Sequence, residues 1–218
     1  MAYTLGFTDG TQYQSTLGKI VCVGRNYADH AKELNNPVPT EPILFIKPES
    51  SAVSLNQDIK IPSNDCHYET EIAILIGSTL ASANDKEAEA AVIGIGLALD
   101  LTRRALQSKL KANSHPWELA KSFDGACPLT DFVKRDQFSS LNNISFSLHI
   151  NDELKQDGCS KDMLNPVIPL IVHMSQYFTL KPGDIILTGT PKGVGELHSG
   201  DKLRFKLMDK LQLETNIL

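Results

Sequence analysis

The sequence predicts an α+β protein, mainly β, whose strands form a mixed sandwich or roll. Three observations lead there. Short β-branched runs are separated by frequent turn signals, the C-terminal third alternates strictly between apolar and polar residues, and helical segments are few and short. The βαβ repetition of a doubly wound sheet is weak, which argues against a Rossmann fold. At 218 residues, without a Gly/Ser linker, a repeat or a low-complexity tract, the chain reads as one domain spanning residues 1–218.

The elements follow in order. Lys19–Gly24 is a short β-branched run ending in glycine and reads as a buried strand. Asn26 to Leu34 turns helical until Asn35-Asn36-Pro37 stops it, and Ile43–Ile46 is a strand closed by Lys47-Pro48. Tyr68 to Ile76 alternates and then becomes wholly apolar, a strand entering the core. Asp85–Ala91 is an Ala/Glu-rich helix, Val92–Leu99 an apolar strand with two glycines, and Thr102–Ala112 a run of good helix formers. Ile144, Phe146, Leu148 and Ile150 alternate with polar residues, and Asn151-Asp152 then offers a hairpin turn. A helix over Val167–Phe178 follows Pro166. Lys181-Pro182-Gly183-Asp184 turns into the strand Ile185–Leu187, and Leu203 to Leu213 forms a closing hairpin about Asp209-Lys210.

Composition excludes several classes of function. Hydrophobic residues make up 41% and charged residues 22%, as in ordinary globular proteins. With 21 Lys+Arg against 26 Asp+Glu the formal charge is −5, and no basic stripe exists to hold nucleic acid. No apolar run approaches the roughly 20 residues of a membrane span. Met1 to Asp9 has neither a basic n-region nor an apolar h-region, and is unlike a transit peptide, so the expected setting is the cytoplasm. Cys22, Cys66, Cys127 and Cys159 form no CxxC pair, which argues against zinc and a redox dithiol and for idle thiols.

Several motifs carry chemistry, each with a plainer alternative. Gly94-Ile95-Gly96 begins like a dinucleotide fingerprint but lacks the third glycine. Thr188 to Gly195 is glycine-rich without phosphate-loop spacing. It is either a surface turn or a loop presenting N–H groups and the Thr190 hydroxyl to an anion. Glu69 and Glu71, two apart on a strand, share a face, where their charges repel unless a cation lies between them. Asp100 ends the next apolar strand. Three such carboxylates suit Mg²⁺ or Mn²⁺; alternatively the glutamates lie on an exposed edge and Asp100 caps a helix. His30 and Glu33 share a helix face and either form a solvated pair or orient an imidazole for proton transfer. Arg25-Asn26-Tyr27 reads as the polar start of that helix. Lys121 is a surface lysine or a pocket cation that stabilises an enolate.

Together these residues resemble a known family. The order runs from Gly24-Arg25-Asn26-Tyr27-Ala28-Asp29-His30 and Phe45-Ile46-Lys47-Pro48 to His67-Tyr68-Glu69-Thr70-Glu71. It continues through Leu99-Asp100-Leu101-Thr102, Lys121-Ser122-Phe123-Asp124 and Ile185 to Gly195. From Lys19 to Leu207 the chain resembles the fumarylacetoacetate hydrolase superfamily, in its short acylpyruvase/oxaloacetate-decarboxylase-like branch. The resemblance implies a mixed β-roll, a homodimer and a bound Mg²⁺ or Mn²⁺. It implies Glu69, Glu71 and Asp100 as metal ligands, and His30, Glu33 and Lys121 as catalytic groups. Arg25, Lys47, Arg104, Gln107 and Thr190 fall to substrate binding. The expected reaction is hydrolysis of an acylpyruvate-type 2,4-dioxo acid to pyruvate and a carboxylic acid. The alternatives are oxaloacetate decarboxylation or keto–enol tautomerisation, and isomerisation or hydration of a 2-oxo diacid, with a non-catalytic metabolite-binding protein as the rival class.

Overall fold

The computed structural model describes residues 3–62 and 65–218; Met1 and Ala2, where the reading of the N-terminus begins, lie outside them. The first half contains β1 (Ile20–Gly24), α1 (Ala28–Glu33), β2 (Ile43–Lys47), β3 (Ala52–Ser54), β4 (Cys66–Tyr68), β5 (Thr70–Ile76), α2 (Asp85–Ala91) and β6 (Val92–Leu99). After them come β7 (Thr102–Arg103), α3 (Arg104–Ala112), α4 (Glu118–Lys121), β8 (Cys127–Leu129), β9 (Val133–Lys134), β10 (Ser145–Ile150) and β11 (Glu153–Cys159). The last are α5 (Val167–Tyr177), β12 (Ile185–Leu187), β13 (Gly195–Glu196), β14 (Lys202–Leu207) and β15 (Leu211–Asn216). Among the described residues no helix is long and apolar enough to cross a membrane.

The expected mixed, mainly β architecture is present. The large sheet runs β2-β1-β12-β5-β6-β8-β3, with β9 on β6; β1–β12 and β3–β8 are parallel, the other pairs antiparallel. A second sheet, β11-β10-β14-β15, packs by β10 and β14 against β5 and β6. Strand β5 explains the layering. Ile72, Ile74 and Ile76 face the core between the sheets, while Ala73 and Leu75 face a second core containing Leu5, Phe45 and Phe132. A strand buried on both faces has no polar side, which is why this run is uniformly apolar. The two glycines of β6 have the same origin. A Cβ at Gly94 would come within 2.9 Å of Phe132, and one at Gly96 within 2.8 Å of the Thr130 hydroxyl. They serve packing, not a dinucleotide.

Some boundaries differ from expectation. Helix α1 is shorter than Asn26–Leu34, because Asn26 is buried and its side chain bonds elsewhere. Helix α3 starts at Arg104 instead of Thr102, since Thr102 and Arg103 pair with His67 and Cys66. The run from Tyr68 to Ile76 is two strands, β4 and β5, meeting at Glu69. The Asn151-Asp152 turn has positive φ at both residues (51° and 67°), as a tight β10–β11 hairpin requires.

Candidate metal and substrate site

Strand register builds the site. Glu71 pairs with Ala98, and the Asp100 N–H donates to the Glu69 carbonyl at 2.8 Å, so Asp100 lies across from Glu69 at the next rung. Alternation then puts Glu69, Glu71 and Asp100 on one face, with the Thr70 side chain on the other; the Thr70 backbone N–H donates to Gln156 Oε1 and its carbonyl accepts the Thr190 hydroxyl. One carboxylate oxygen from each acid lies within 4.8 Å of the others, and all three residues are buried. An exposed edge and a helix-capping Asp100 are therefore both excluded.

Three cations surround this face unevenly. The Lys121 ammonium, on α4, donates to Glu69 at 2.8 Å and to Asp100 at 2.6 Å. Arg104 pairs with the other Glu69 oxygen and donates to Gln107 Oε1 at 2.7 Å. Lys47 is fully buried, with Nζ 2.8 Å from Asp100 Oδ1 and bonded to the backbone carbonyls of Lys121 and Ala126. It sits behind the triad, outside the cavity lining, and steadies Asp100 and α4; substrate contact, as the resemblance implied, does not fit its position.

Glu71 receives none of these cations. Among the described residues its carboxylate accepts only the Gly189 N–H. Burial and the neighbouring Asp100 and Glu69 charges push its pKa well above the usual carboxylate range. Burial acts the same way on Glu69, yet the Lys121 and Arg104 cations outweigh it and hold that carboxyl below its ordinary value. Lys121, which burial alone would lower, is raised by Asp100 and Glu69. Three hard oxygen donors with uncompensated negative charge at Glu71 fit Mg²⁺ or Mn²⁺, with Glu69, Glu71 and Asp100 as ligands.

The loop over 188–195 is no surface turn. Thr188, Gly189, Thr190 and Pro191 are buried. Gly189 has φ +89°, and a Cβ there would meet Asn26 Cβ at 2.6 Å. The Thr190 hydroxyl lines the cavity but is already engaged, donating to the Thr70 carbonyl and accepting from Gln156, both at 2.8 Å. His30 is buried, lines the same cavity, and holds Nδ1 3.3 Å from Glu33 Oε2. The other Glu33 oxygen accepts the Gly193 N–H at 2.9 Å, docking α1 on the loop.

One cavity of about 120 Å³ thus gathers His30, the three acids, Lys121, Arg25, Arg104, Gln107 and Thr190. Glu33 stands just behind His30. The sequence reading missed two contributors. Asn26, taken as a polar helix start, is a buried hub bonding Thr188 O at 2.9 Å and Asn165 O at 3.0 Å. Lys111, which also lines the cavity, follows Arg104 and Gln107 at helical spacing, a signal that was readable but unused.

Comparison with known proteins agrees with this geometry. The profile described as fumarylacetoacetate (FAA) hydrolase C-terminal matches residues 19–217. This chain belongs to the fumarylacetoacetate hydrolase family, in its short branch. It is 47% identical over 205 residues to Oxaloacetate tautomerase YcgM of Escherichia coli (strain K12), covering 93% of both chains. It is 41% identical to the mitochondrial Oxaloacetate decarboxylase of Dictyostelium discoideum, covering 88% of this chain and 90% of the other. The crystal structure of fumarylpyruvate hydrolase from Pseudomonas aeruginosa, in complex with Mn²⁺ and pyruvate, superposes with a TM-score of 0.92. Its identity is 28%, over 100% of this chain and 96% of that one.

Proposed function

We propose that this chain acts on 2-oxo acids as a metal-dependent keto–enol tautomerase of oxaloacetate, with decarboxylation of the same acid as a companion activity. The observation that supports this reading is the gathering of His30, Lys121 and the buried acidic triad around one cavity. Tautomerisation needs a proton moved at C3 and charge held on the 2-oxo oxygen. The relatives named for oxaloacetate are 47% and 41% identical, against 28% for the fumarylpyruvate hydrolase. That order supports tautomerisation over the acylpyruvate hydrolysis expected from the sequence, which stays the second reading because a His30/Glu33 pair also suits water activation.

A divalent cation held by Glu69, Glu71 and Asp100 would supply Lewis-acid stabilisation of negative charge developing on the substrate. The remaining work falls to the chain. Glu33 fixes His30 through Nδ1, leaving Nε2 to carry the C3 proton in either direction. The Lys121 ammonium adds positive charge beside the developing enolate. Gln107 gives Oε1 to Arg104 and keeps its amide N–H groups for a substrate oxygen. Burial of His30 and the triad excludes water and strengthens each interaction. A homodimer, a single catalytic domain over 1–218 and a cytoplasmic setting belong to the same proposal.

The test follows enol-oxaloacetate by absorbance, with Mg²⁺ and with EDTA, beside pyruvate release from oxaloacetate and cleavage of acetylpyruvate. Mg²⁺-dependent tautomerisation is expected to be the fastest of the three and to fall about 10²–10⁴-fold in His30→Ala. Acetylpyruvate cleavage faster than tautomerisation would overturn the assignment.

A further inference from the structure

The cavity is negative at its base and positive at its mouth. All of its acidic lining residues, Glu69, Glu71 and Asp100, are at the base. Helix α3 lays one face along the wall, with Arg104, Gln107, Ser108 and Lys111 at positions i, i+3, i+4 and i+7. Seven residues of helix advance about 10 Å, so this face leads from the Arg104–Glu69 pair out to the exposed Lys111.

Arg25 lines the same cavity as Lys111. Its backbone is left-handed, φ +59°, an unfavourable conformation for a side chain of this size. The next residue holds it there, because Asn26 is fully buried and also accepts the Asn165 N–H at 2.8 Å. Backbone strain fixed by surrounding bonds is a mark of functional positions. Among the described residues the Arg25 guanidinium makes no ion pair, and the ammonium of Lys111 meets only the neutral Asn36 Oδ1, at 3.0 Å. Burial and then the charges of Arg25 and Arg104 lower the pKa of Lys111, so the three cations are within electrostatic reach. Arg104 is matched by Glu69, whereas Arg25 and Lys111 have no ion-pair partner among the described residues, and in a chain of net charge −5 that leaves them for an anion from outside.

We infer that Lys111 and Arg25 form the subsite for the distal carboxylate of a 2-oxo dicarboxylate, with Lys111 discriminating dianionic from monoanionic substrates. This rests on the proposed 2-oxo acid chemistry, which the base of the cavity performs; the mouth sets which acids are taken. The subsite accounts for two features the chemistry at the base leaves unused, the strained Arg25 and a Lys111 that has no ion-pair partner among the described residues.

The test compares wild type, Lys111→Met and Lys111→Arg, each loaded with Mg²⁺, on oxaloacetate and on the monoanion acetylpyruvate. In Lys111→Met, kcat/KM for oxaloacetate is expected to fall about fivefold, through KM and with a weaker salt dependence. For acetylpyruvate it should change less than about twofold, and Lys111→Arg should recover most of the loss. Binding of difluoro-oxaloacetate, which has no C3 proton to lose, is measured by calorimetry against pyruvate binding in the same proteins. Equal losses for dianion and monoanion, or no loss for either, would overturn the subsite. Should wild type bind difluoro-oxaloacetate but leave enol-oxaloacetate unchanged, the proposed reaction fails while the calorimetric comparison still decides the subsite.

Discussion

Strand β5 has a buried acid at each end. Glu71 lies near its start, and Asp184, whose carbonyl accepts the Ile76 N–H, lies at its finish. Both are almost fully buried, at 1% and 2% exposure, yet their surroundings differ. Asp184 accepts the Lys19 N–H at 3.0 Å, the Lys181 N–H at 2.8 Å and the Lys19 ammonium, so its charge is matched on the spot. Glu71 has one N–H donor and two carboxylates for neighbours. Buried acids alone therefore do not mark a site. A deficit of positive charge does, because an isolated buried carboxylate is strongly disfavoured unless something neutralises it.

The sharpest way to break this contrast is Glu71→Gln. Removing that charge relieves repulsion against Glu69 and Asp100, so the metal-free variant should melt at or above the wild-type temperature. Its tautomerase activity should drop by at least about 100-fold. Lys47→Met attacks the same end from behind, leaving Asp100 without the ammonium at 2.8 Å. Denaturant unfolding should show a loss of about 3 kcal/mol, the usual consequence of breaking a buried pair. At the opposite end Asp184→Asn should destabilise by about 2 kcal/mol, the partner Lys19 being partly exposed, while activity per folded molecule stays at wild type. Stability and activity thus separate in opposite senses at the two ends. Parallel losses of both would remove the distinction between a structural and a functional acid.

The smallest effect concerns the thiols. Burial pushes Cys66 up to about 11 and Cys127 up to about 12, and lifts Cys22 well above its ordinary value. The neutral thiol is the folded form of these three. Their contribution to stability is present below the ordinary thiol value and is lost as pH rises from there through the folded values. Near neutral pH a thiol reagent should label one cysteine per native chain, the partly exposed Cys159, and four after unfolding. Rapid native labelling at a second position would contradict the packing of that core.

Much of the fold was legible because period-two alternation and turn chemistry are local signals. The Asn151-Asp152 hairpin and the β14–β15 hairpin are examples. The shared face of Glu69 and Glu71 was legible for the same reason, whereas bringing Asp100 opposite Glu69 takes the pairing of β5 with β6. What stayed hidden depends on long-range contacts. Nothing local to Phe45-Ile46-Lys47-Pro48 reveals that the lysine turns inward to Asp100, far along the chain. Asn26 looks like any polar helix start until Thr188 and Asn165 are brought beside it. Thr102 carries strong helical neighbours, yet pairing with His67 overrides them. The Thr188–Gly195 loop could not be assigned from its glycines, because its partners Glu71 and Glu33 come from distant strands and helices.

Calorimetric titration of metal-stripped protein with Mg²⁺ and with Mn²⁺ tests most directly whether the triad holds one divalent cation. Wild type should bind one ion per chain, with a matching rise in melting temperature, and Glu71→Gln should give a flat titration with either metal. A wild-type protein that binds neither ion, or a variant that binds them as tightly as wild type, would contradict the account.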